Sequence, residues 1–298
     1  MTWYLYQWTF QLKSPLHIGF HKVMHFFRTR PYVPAKLLWG ALTAKLTPIL
    51  GTCDYQRVGN FIKKAMRFSY LYPYVDGKLY LPKYTENGFM FGSLAFNKFE
   101  KKFISSMAST AIEAESLTAE EGMFHEIEFI SPFTIDNGES VFMKGLLWIR
   151  EFSENGIRLY KRDDNIHIKN DTSEVRLKED VLNRLQMGGE QKYGFGLLEL
   201  EELIKSDNLT EFCGEWLEDG NELKLKLNSN DPIWSHVLQG GGVNIKGNIE
   251  PLIGRDWDTD KGAGKKLTYH GLCWTPGSIL ITDTTFRIIE FGLWEVSP

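Results

Sequence analysis

The stretch Gly188-Gly189-Glu190-Gln191-Lys192-Tyr193-Gly194-Phe195-Gly196 places four glycines in nine residues and runs directly into an apolar segment at 197–200. Glycine adopts the backbone angles of sharp turns and lets a phosphate or another chain approach closely. Ahead of it, residues 179–185 place acidic residues first and apolar residues at helical spacing, which predicts a helix. We therefore predict a glycine loop (residues 188–196) that joins a helix to a strand. A glycine-rich helix end without any ligand explains the pattern equally well.

Composition indicates an ordinary globular protein. The 298 residues, 43% hydrophobic and 24% charged, suffice for one large domain or two modest ones. The cysteines Cys53, Cys213 and Cys273 are too few and too far apart for a disulfide framework or a local metal site, which fits a reducing cytoplasm. The N-terminus lacks a signal-peptide pattern and no segment approaches membrane-spanning length. We expect a cytoplasmic protein without a membrane partner.

Charge is distributed unevenly along the chain. Residues 1–102 contain fifteen Lys and Arg against four Asp and Glu, which leaves nineteen against thirty-four in residues 103–298. This asymmetry predicts a basic surface for a polyanion and an acidic surface for a different partner. The alternative is that the two parts neutralise each other across an interface.

The first predicted strand, residues 4–12, ends at a segment, 14–19, that contains both proline and glycine. From this segment onward, His17, His21 and His25 recur every fourth residue. A helix would align metal ligands at that spacing. The proline and glycine oppose a helix here, and no acidic residue or cysteine lies nearby. We predict a solvated or RNA-facing loop and no metal site.

A cluster of cations precedes the next predicted element. Arg28, Arg30 and Lys36 lie at the start of a predicted helix, residues 37–46, and Pro34 lies where a helix start tolerates proline. Free N–H groups, the helix dipole and adjacent cations together attract phosphate. A capped amphipathic helix whose cations point into solvent is the commoner alternative.

The remaining elements are predicted from alternation and turn residues. They are a hairpin around Asp76-Gly77, strands at 125–130, 141–150, 156–160 and 212–227, a solvated loop at 161–178, a short helix at 231–238, a flexible loop at 240–242, a polar hairpin or loop at 253–266, and a terminal strand pair from residue 274.

Four of these pieces follow an order that resembles the RAMP superfamily, the repeat-associated RNA-binding subunits of CRISPR effector complexes. They are Ser14-Pro15-Leu16-His17-Ile18-Gly19, Arg30-Pro31-Tyr32-Val33-Pro34 with Leu38-Trp39-Gly40-Ala41-Leu42, the block 110–124 with Glu128, and the glycine loop. The family shows a Pro-Leu-x-Ile-Gly turn, a Pro-x-Ile-Pro-Gly-Ser helix start, a Leu-Phe-x-x-Glu block and a Gly-Gly-x-x-x-x-Gly-x-Gly loop. The resemblance covers about the first 200 residues. It departs at Ala35-Lys36, where the family has Gly-Ser.

The resemblance implies an α+β fold with two parts. Residues 1–205 would form a ferredoxin-like (RRM-like) antiparallel sheet with an insertion around 84–125. Residues 206–298 would form a second, smaller domain, either β-rich or a reduced ferredoxin-like unit. The late Pro-Gly-Ser strand at 276–278 resembles the type III subunits that cap the 5′ end of the guide RNA.

A non-catalytic subunit follows as the expected function, without metal or cofactor. It would hold the 5′ repeat-derived handle of the guide RNA and dock on a large polymerase-like subunit and a backbone subunit, with target RNA nearby. Cations for phosphates and aromatic rings for unstacked bases give these RNA-binding candidates: His17, Arg28, Arg30, Lys36, Gln191, Lys192, Tyr193, Arg255, Trp257, Lys265 and Lys266, with Gly188, Gly189, Gly194 and Gly196 of the glycine loop.

Two catalytic alternatives remain open. A backbone subunit would cleave target RNA through an aspartate, for which Asp136, Asp256, Asp258 and Asp260 are candidates. A guide-processing endoribonuclease would use His17 as a general base.

Overall fold

The first strand, Trp3–Leu12, lies inside a seven-stranded antiparallel sheet, which we call the central sheet. The computed structural model describes residues 2–113, 115, 116, 118, 122–163, 165–258 and 262–297. Trp3–Leu12 pairs antiparallel with Phe142–Arg150 on one side and with Leu197–Ser206 on the other. The central sheet runs in the order Arg184–Gln186, Leu197–Ser206, Trp3–Leu12, Phe142–Arg150, Tyr72–Val75 and Lys78–Leu79, and Met66–Phe68 also pairs with Phe142–Arg150.

The described residues contain three α-helices: α1 (Ala35–Ile49), α2 (Tyr55–Ala65) and α3 (Phe96–Phe103). Helix α1 buries Leu38, Leu42 and Leu46, the one-face spacing that packs an amphipathic helix onto a core. Among the described residues, none of these helices combines the length and the apolar character needed to span a membrane.

The other strands form five further sheets. A four-stranded sheet, which we call the hairpin sheet, runs in the order Ile104–Ser109, His125–Ile130, Phe26–Thr29 and Gly19–Val23. A second four-stranded sheet runs in the order Phe152–Glu154, Ile157–Arg162, Asn165–Lys169 and Glu174–Arg176. The two small sheets are Pro82–Thr85 with Gly88–Phe91 and Leu94–Ala95, and Ile245–Lys246 with Ile279–Leu280. The C-terminal sheet runs Glu215–Asp219, Glu222–Leu227, Thr284–Ile288, Trp294–Val296, Val237–Leu238, Gly262–Trp274 and Ile249–Asp258. The last two strands form one long ladder, the C-terminal hairpin.

The prediction of a helix before the glycine loop is wrong. A single π-helical turn, Leu177–Leu182, is followed by the strand Arg184–Gln186, which pairs antiparallel with Leu197–Ser206. Leu185 is buried between exposed neighbours, and this alternation is the period of a strand. The glycine loop therefore joins two strands of the central sheet.

Three further elements differ from their predictions. The predicted solvated loop at 161–178 contains the strands Asn165–Lys169 and Glu174–Arg176. The predicted helix at 231–238 is not helical, because residues 233–237 are buried on all sides and an amphipathic helix would expose one face. The single strand predicted at 212–227 is a hairpin. The turn at Asp76-Gly77 and the strands at 125–130 and 142–150 are confirmed.

The architecture is strand-rich and mixed α+β. Beyond residue 206, the described residues hold strands and one 3-10 turn and no α-helix.

Ion pairs explain much of the charge asymmetry. In the described part of the chain, seven of the fifteen cations of residues 1–102 pair with carboxylates from the later part. They are Lys13, Arg28, Arg30, Lys36, Lys63, Lys64 and Lys102. Neutralisation between the two parts, the alternative reading of the sequence, therefore accounts for nearly half of the early positive charge.

Candidate nucleic-acid interface

The glycine loop packs against the segment that follows the first strand. Gly196 N donates to the carbonyl oxygen of Pro15 at 2.7 Å, and Gly189 N donates to that of His17 at 2.8 Å. Leu197 N donates to Ser14 Oγ at 2.9 Å. The first and fourth motifs of the sequence thus form one structural unit.

Close contacts of the loop backbone require glycine at three of the four glycine positions. Gly188 and Gly196 have positive φ, and a Cβ at these positions would overlap the carbonyl oxygens of His17 and Met187. A Cβ on Gly189 would lie 2.9 Å from Cδ2 of His17. Gly194 also has positive φ, at +84°, but faces open space. The close approach that the glycines permit is therefore mainly an approach of the chain to itself.

His17 lies under the glycine loop and is only 6% exposed. Its Nδ1 is 2.6 Å from the carbonyl oxygen of Glu128. The expectation of a solvated loop is wrong for this side chain, because Gly188 and Gly189 cover it. Since the ring is covered, His17 serves to support the loop.

The tip of the glycine loop faces outward. Gln191, Lys192 and Tyr193 form a 3-10 turn without a buried residue, and Tyr193 is 74% exposed. Within the described residues, Lys192 has no carboxylate within ion-pair distance. Lys192 and Tyr193 therefore present an ammonium and a ring to solvent, whereas the Gln191 amide donates to the Gly188 carbonyl oxygen at 3.0 Å.

A groove of about 240 Å³ adjoins the loop and is lined by residues of the hairpin sheet. Glu190 contributes from the loop, and Lys22, Phe27 and Phe124 from the facing side. Lys22 Nζ lies 4.7 Å from the centre of the Phe27 ring, and Phe124 is exposed. Sequence reasoning missed Lys22 and Phe124, although Phe124 belongs to the third motif. We call the loop tip and this groove the loop–hairpin surface.

Arg28 and Glu128 lie at the base of the hairpin sheet. Arg28 reaches Glu100 at 3.0 Å and Glu128 at 3.4 Å, and its side chain stays partly exposed. The Glu128 carboxylate also accepts from Thr29 N at 3.1 Å. The glutamate of the third motif therefore holds two strands together.

Arg30 belongs to a different, buried cluster. Its Nη1 lies 2.8 Å from Oε1 of Glu250, which also accepts from His236 Nε2 at 2.6 Å. Tyr70 donates to Nδ1 of His236 at 2.6 Å. Burial alone would raise the pKa of Glu250, but the hydrogen bond from His236 and the charge of Arg30 outweigh burial and lower the pKa to about 2. Burial lowers the pKa of His236, so the cluster joins a cation, an anion and a neutral ring.

Lys36 is also engaged within the chain. Its Nζ lies 2.9 Å from Oδ1 of Asp256 and 3.0 Å from Nε2 of His270, and burial lowers its pKa. Both partners come from the C-terminal hairpin. Two of the three cations that the sequence assigned to a phosphate at the helix start, Arg30 and Lys36, instead pair with carboxylates of the C-terminal hairpin.

The four late candidates lie on the C-terminal hairpin. Arg255, Lys265 and Lys266 are exposed. Trp257 stacks on Tyr55 of α2 with ring centres 5.1 Å apart. The predicted site residues thus separate into the loop–hairpin surface and the surroundings of the C-terminal hairpin.

Two of the four candidate catalytic aspartates have structural partners. Asp136 pairs with Lys102 at 3.0 Å, and Asp256 accepts from Thr268 as well as from Lys36. Asp260 lies outside the described residues. Among the described residues no three His, Cys, Asp or Glu side chains are grouped as a metal site would need.

Comparison with known proteins places the fold. No protein-family model and no curated protein matches the sequence. A chain in a cryo-EM structure of the Type III-B Cmr-beta bound to cognate target RNA and AMPPnP has a TM-score of 0.53 at 12% identity, over 92% of this chain and 85% of that chain. A chain of the Type III-B Cmr-beta bound to cognate target RNA gives a TM-score of 0.51 at 12% identity, over 92% and 86%. The chain therefore has the fold of these Type III-B Cmr-beta chains, which confirms at the level of the fold the resemblance to RAMP-type subunits of type III CRISPR complexes.

Proposed function

We propose that the chain is a guide-RNA-binding subunit of a type III CRISPR ribonucleoprotein. It holds the 5′ repeat-derived handle and docks on the large polymerase-like subunit and on a backbone subunit. The observation that carries the proposal is the loop–hairpin surface, where cations without carboxylate partners lie beside exposed aromatic rings within the described part of the chain. The shared fold with chains of RNA-bound Type III-B assemblies supports it.

An unpaired strand of RNA offers phosphates and unstacked bases to a protein surface. Its phosphates attract lysines that are not already neutralised, and its unstacked bases gain free energy on flat rings. Lys22 and Lys192 supply the charge, and Tyr193 and Phe124 supply the rings. His17, Arg30 and Lys36 act indirectly in this proposal, since internal contacts occupy them.

The arrangement of the central sheet supports a ferredoxin-like origin. Four of its strands lie side by side in the order Leu197–Ser206, Trp3–Leu12, Phe142–Arg150 and Tyr72–Val75, all antiparallel. Counted along the chain, this is the spatial order fourth, first, third, second. We infer that the turn Leu177–Leu182 stands where the second helix of a ferredoxin-like unit would lie. In the same proposal the domain boundary falls near residue 205, where the central sheet ends.

Replacing both Lys22 and Lys192 by alanine is expected to weaken the binding of repeat-derived RNA. Each single-strand phosphate contact contributes roughly 0.7 to the slope of log K against log salt. The double variant should therefore lower that slope by about 1.4. Fluorescence anisotropy of labelled repeat RNA over a salt series measures both quantities.

Lys226→Ala serves as the matched control, because Lys226 is exposed on the C-terminal sheet and has no ion pair among the described residues. Unchanged affinity and slope in the double variant would contradict the proposed surface. Cleavage of the repeat RNA by the unaltered protein, lost in His17→Ala, would replace the binding role by the guide-processing one.

A further inference from the structure

A second groove, of about 840 Å³, lies between the first two helices and the C-terminal hairpin. The rings of Trp39, Tyr55 and Trp257 line it. Arg255 and Lys266 reach it from the hairpin, and α2 adds the exposed amides of Gln56 and Asn60. We call it the helix–hairpin groove, and none of its lining residues belongs to the loop–hairpin surface.

Gly40 lines the groove at a position where packing does not require a glycine. It lies inside α1, where glycine is unfavourable relative to alanine, and a Cβ there would meet nothing within 4 Å. Gly59 on α2 provides the contrast, because a Cβ at that position would lie 2.8 Å from the Trp39 ring. Packing therefore explains Gly59 and leaves Gly40 unexplained. The missing side chain enlarges the floor of the groove.

The chemistry of the lining selects the ligand. Flat rings bind the faces of unstacked bases, side-chain amides bind base edges, and arginine and lysine bind phosphate. The lining contains two carboxylates, Asp256 and Asp258. Lys36 offsets the charge of Asp256, and Arg255, Lys63 and Lys266 leave the lining with more cations than anions. The groove also contains Lys63, whose Nζ lies 5.0 Å from the Trp39 ring centre.

We propose that the helix–hairpin groove binds an unstacked nucleotide of single-stranded RNA, as a second RNA site of this protein. The base lies beside the stacked pair of Tyr55 and Trp257, near Trp39. Arg255 and Lys266 hold its phosphate. The identity of the ligand as RNA rests on the proposed function, whereas the position of the site rests on the groove and on Gly40. A free nucleotide offers the same base and phosphate, so the test must separate the two sources.

The test measures anisotropy of a short labelled oligoadenylate with the full chain, in competition with AMP and with duplex RNA. Trp257→Ala is expected to weaken oligoadenylate binding roughly 5- to 150-fold, the range for loss of one stacking ring. Tyr269→Ala is the matched control, because Tyr269 is an exposed aromatic on the same hairpin that does not line the groove. It should leave the affinity unchanged.

Gly40→Leu provides an independent arm. Leucine favours the helix over glycine, so the thermal midpoint should rise by about 2 °C, while its side chain fills the groove and lowers the affinity at least roughly tenfold. Gly40→Ala should raise the midpoint similarly and lower the affinity less. A gain in stability joined to a loss of binding is not produced by a purely structural glycine.

Unchanged affinity in both Trp257→Ala and Gly40→Leu overturns the proposal, and if the Lys22 and Lys192 double variant still weakens binding, the proposed function stands. Loss in Trp257→Ala and Gly40→Leu with no effect of the lysine variant supports the groove and removes the loop–hairpin surface. AMP binding as tight as oligoadenylate binding overturns RNA as the occupant.

Discussion

Gly196→Ala is expected to lower the free energy of unfolding by roughly 2–4 kcal/mol, from left-handed backbone strain together with overpacking. Gly196 has a φ of +79°, and an added Cβ would overlap the carbonyl oxygen of Met187. The same glycine donates to Pro15 O and accepts from Met187 N. Any shift that relieves the overlap therefore breaks a backbone hydrogen bond at the point where the glycine loop joins the first strand. Urea denaturation followed by circular dichroism measures the loss.

Gly194→Ala is the matched control within the same loop. Its φ of +84° carries the same left-handed cost of about 1–2 kcal/mol, but a Cβ there meets nothing within 4 Å. The two variants thus separate backbone strain from steric overlap. Equal losses at the two positions would show that the overlap of the added Cβ with the Met187 carbonyl oxygen does not destabilise the fold.

Some features of the glycine loop could be predicted from its sequence and others could not. Its four glycines identify a turn of unusual backbone, because glycine alone adopts such angles without strain. Some of the contacts that these glycines make cannot be predicted from the loop sequence, since Gly188 and Gly189 approach His17 and Gly196 bonds to Pro15, about 170 to 180 residues earlier. The helix predicted before the loop failed for a related reason. Its apolar positions suit one helical turn and a short strand equally well, and pairing with Leu197–Ser206 decides the outcome.

The cations were harder to assign. A local sequence window shows Arg30 and Lys36 as free charges before a helix, which is the pattern of a phosphate site. Their partners, Glu250 and Asp256, lie more than two hundred residues later. No local pattern predicts that pairing. The exposed loop residues Lys192 and Tyr193 needed no distant partner, and their exposure followed the local signal.

Glu250→Gln is expected to lower the free energy of unfolding at neutral pH by roughly 3 kcal/mol, the low end for breaking a buried ion pair, because the remaining charge is left uncompensated. Glu250 accepts from both Arg30 and His236, and the side chains of both arginine and glutamate are about 15% exposed or less. The amide removes the negative charge while keeping the shape. Glu100→Gln is the control, since Glu100 pairs with the more exposed Arg28 and such pairs contribute under about 1 kcal/mol.

The pH dependence of this loss gives the sharper test. The pKa of Glu250 is about 2 in the folded chain, below its ordinary value of 4.5, so the folded state binds fewer protons than the unfolded state. The stabilisation is therefore complete above pH 4.5 and disappears as the pH falls toward 2. The burial-lowered pKa of His236 adds acid destabilisation below pH 6.5 in the same direction. The free energies of unfolding of the unaltered protein and of Glu250→Gln should converge as the pH is lowered from 5 to 3. A difference between them that stays constant over that range would show that the Glu250 charge does not stabilise the fold.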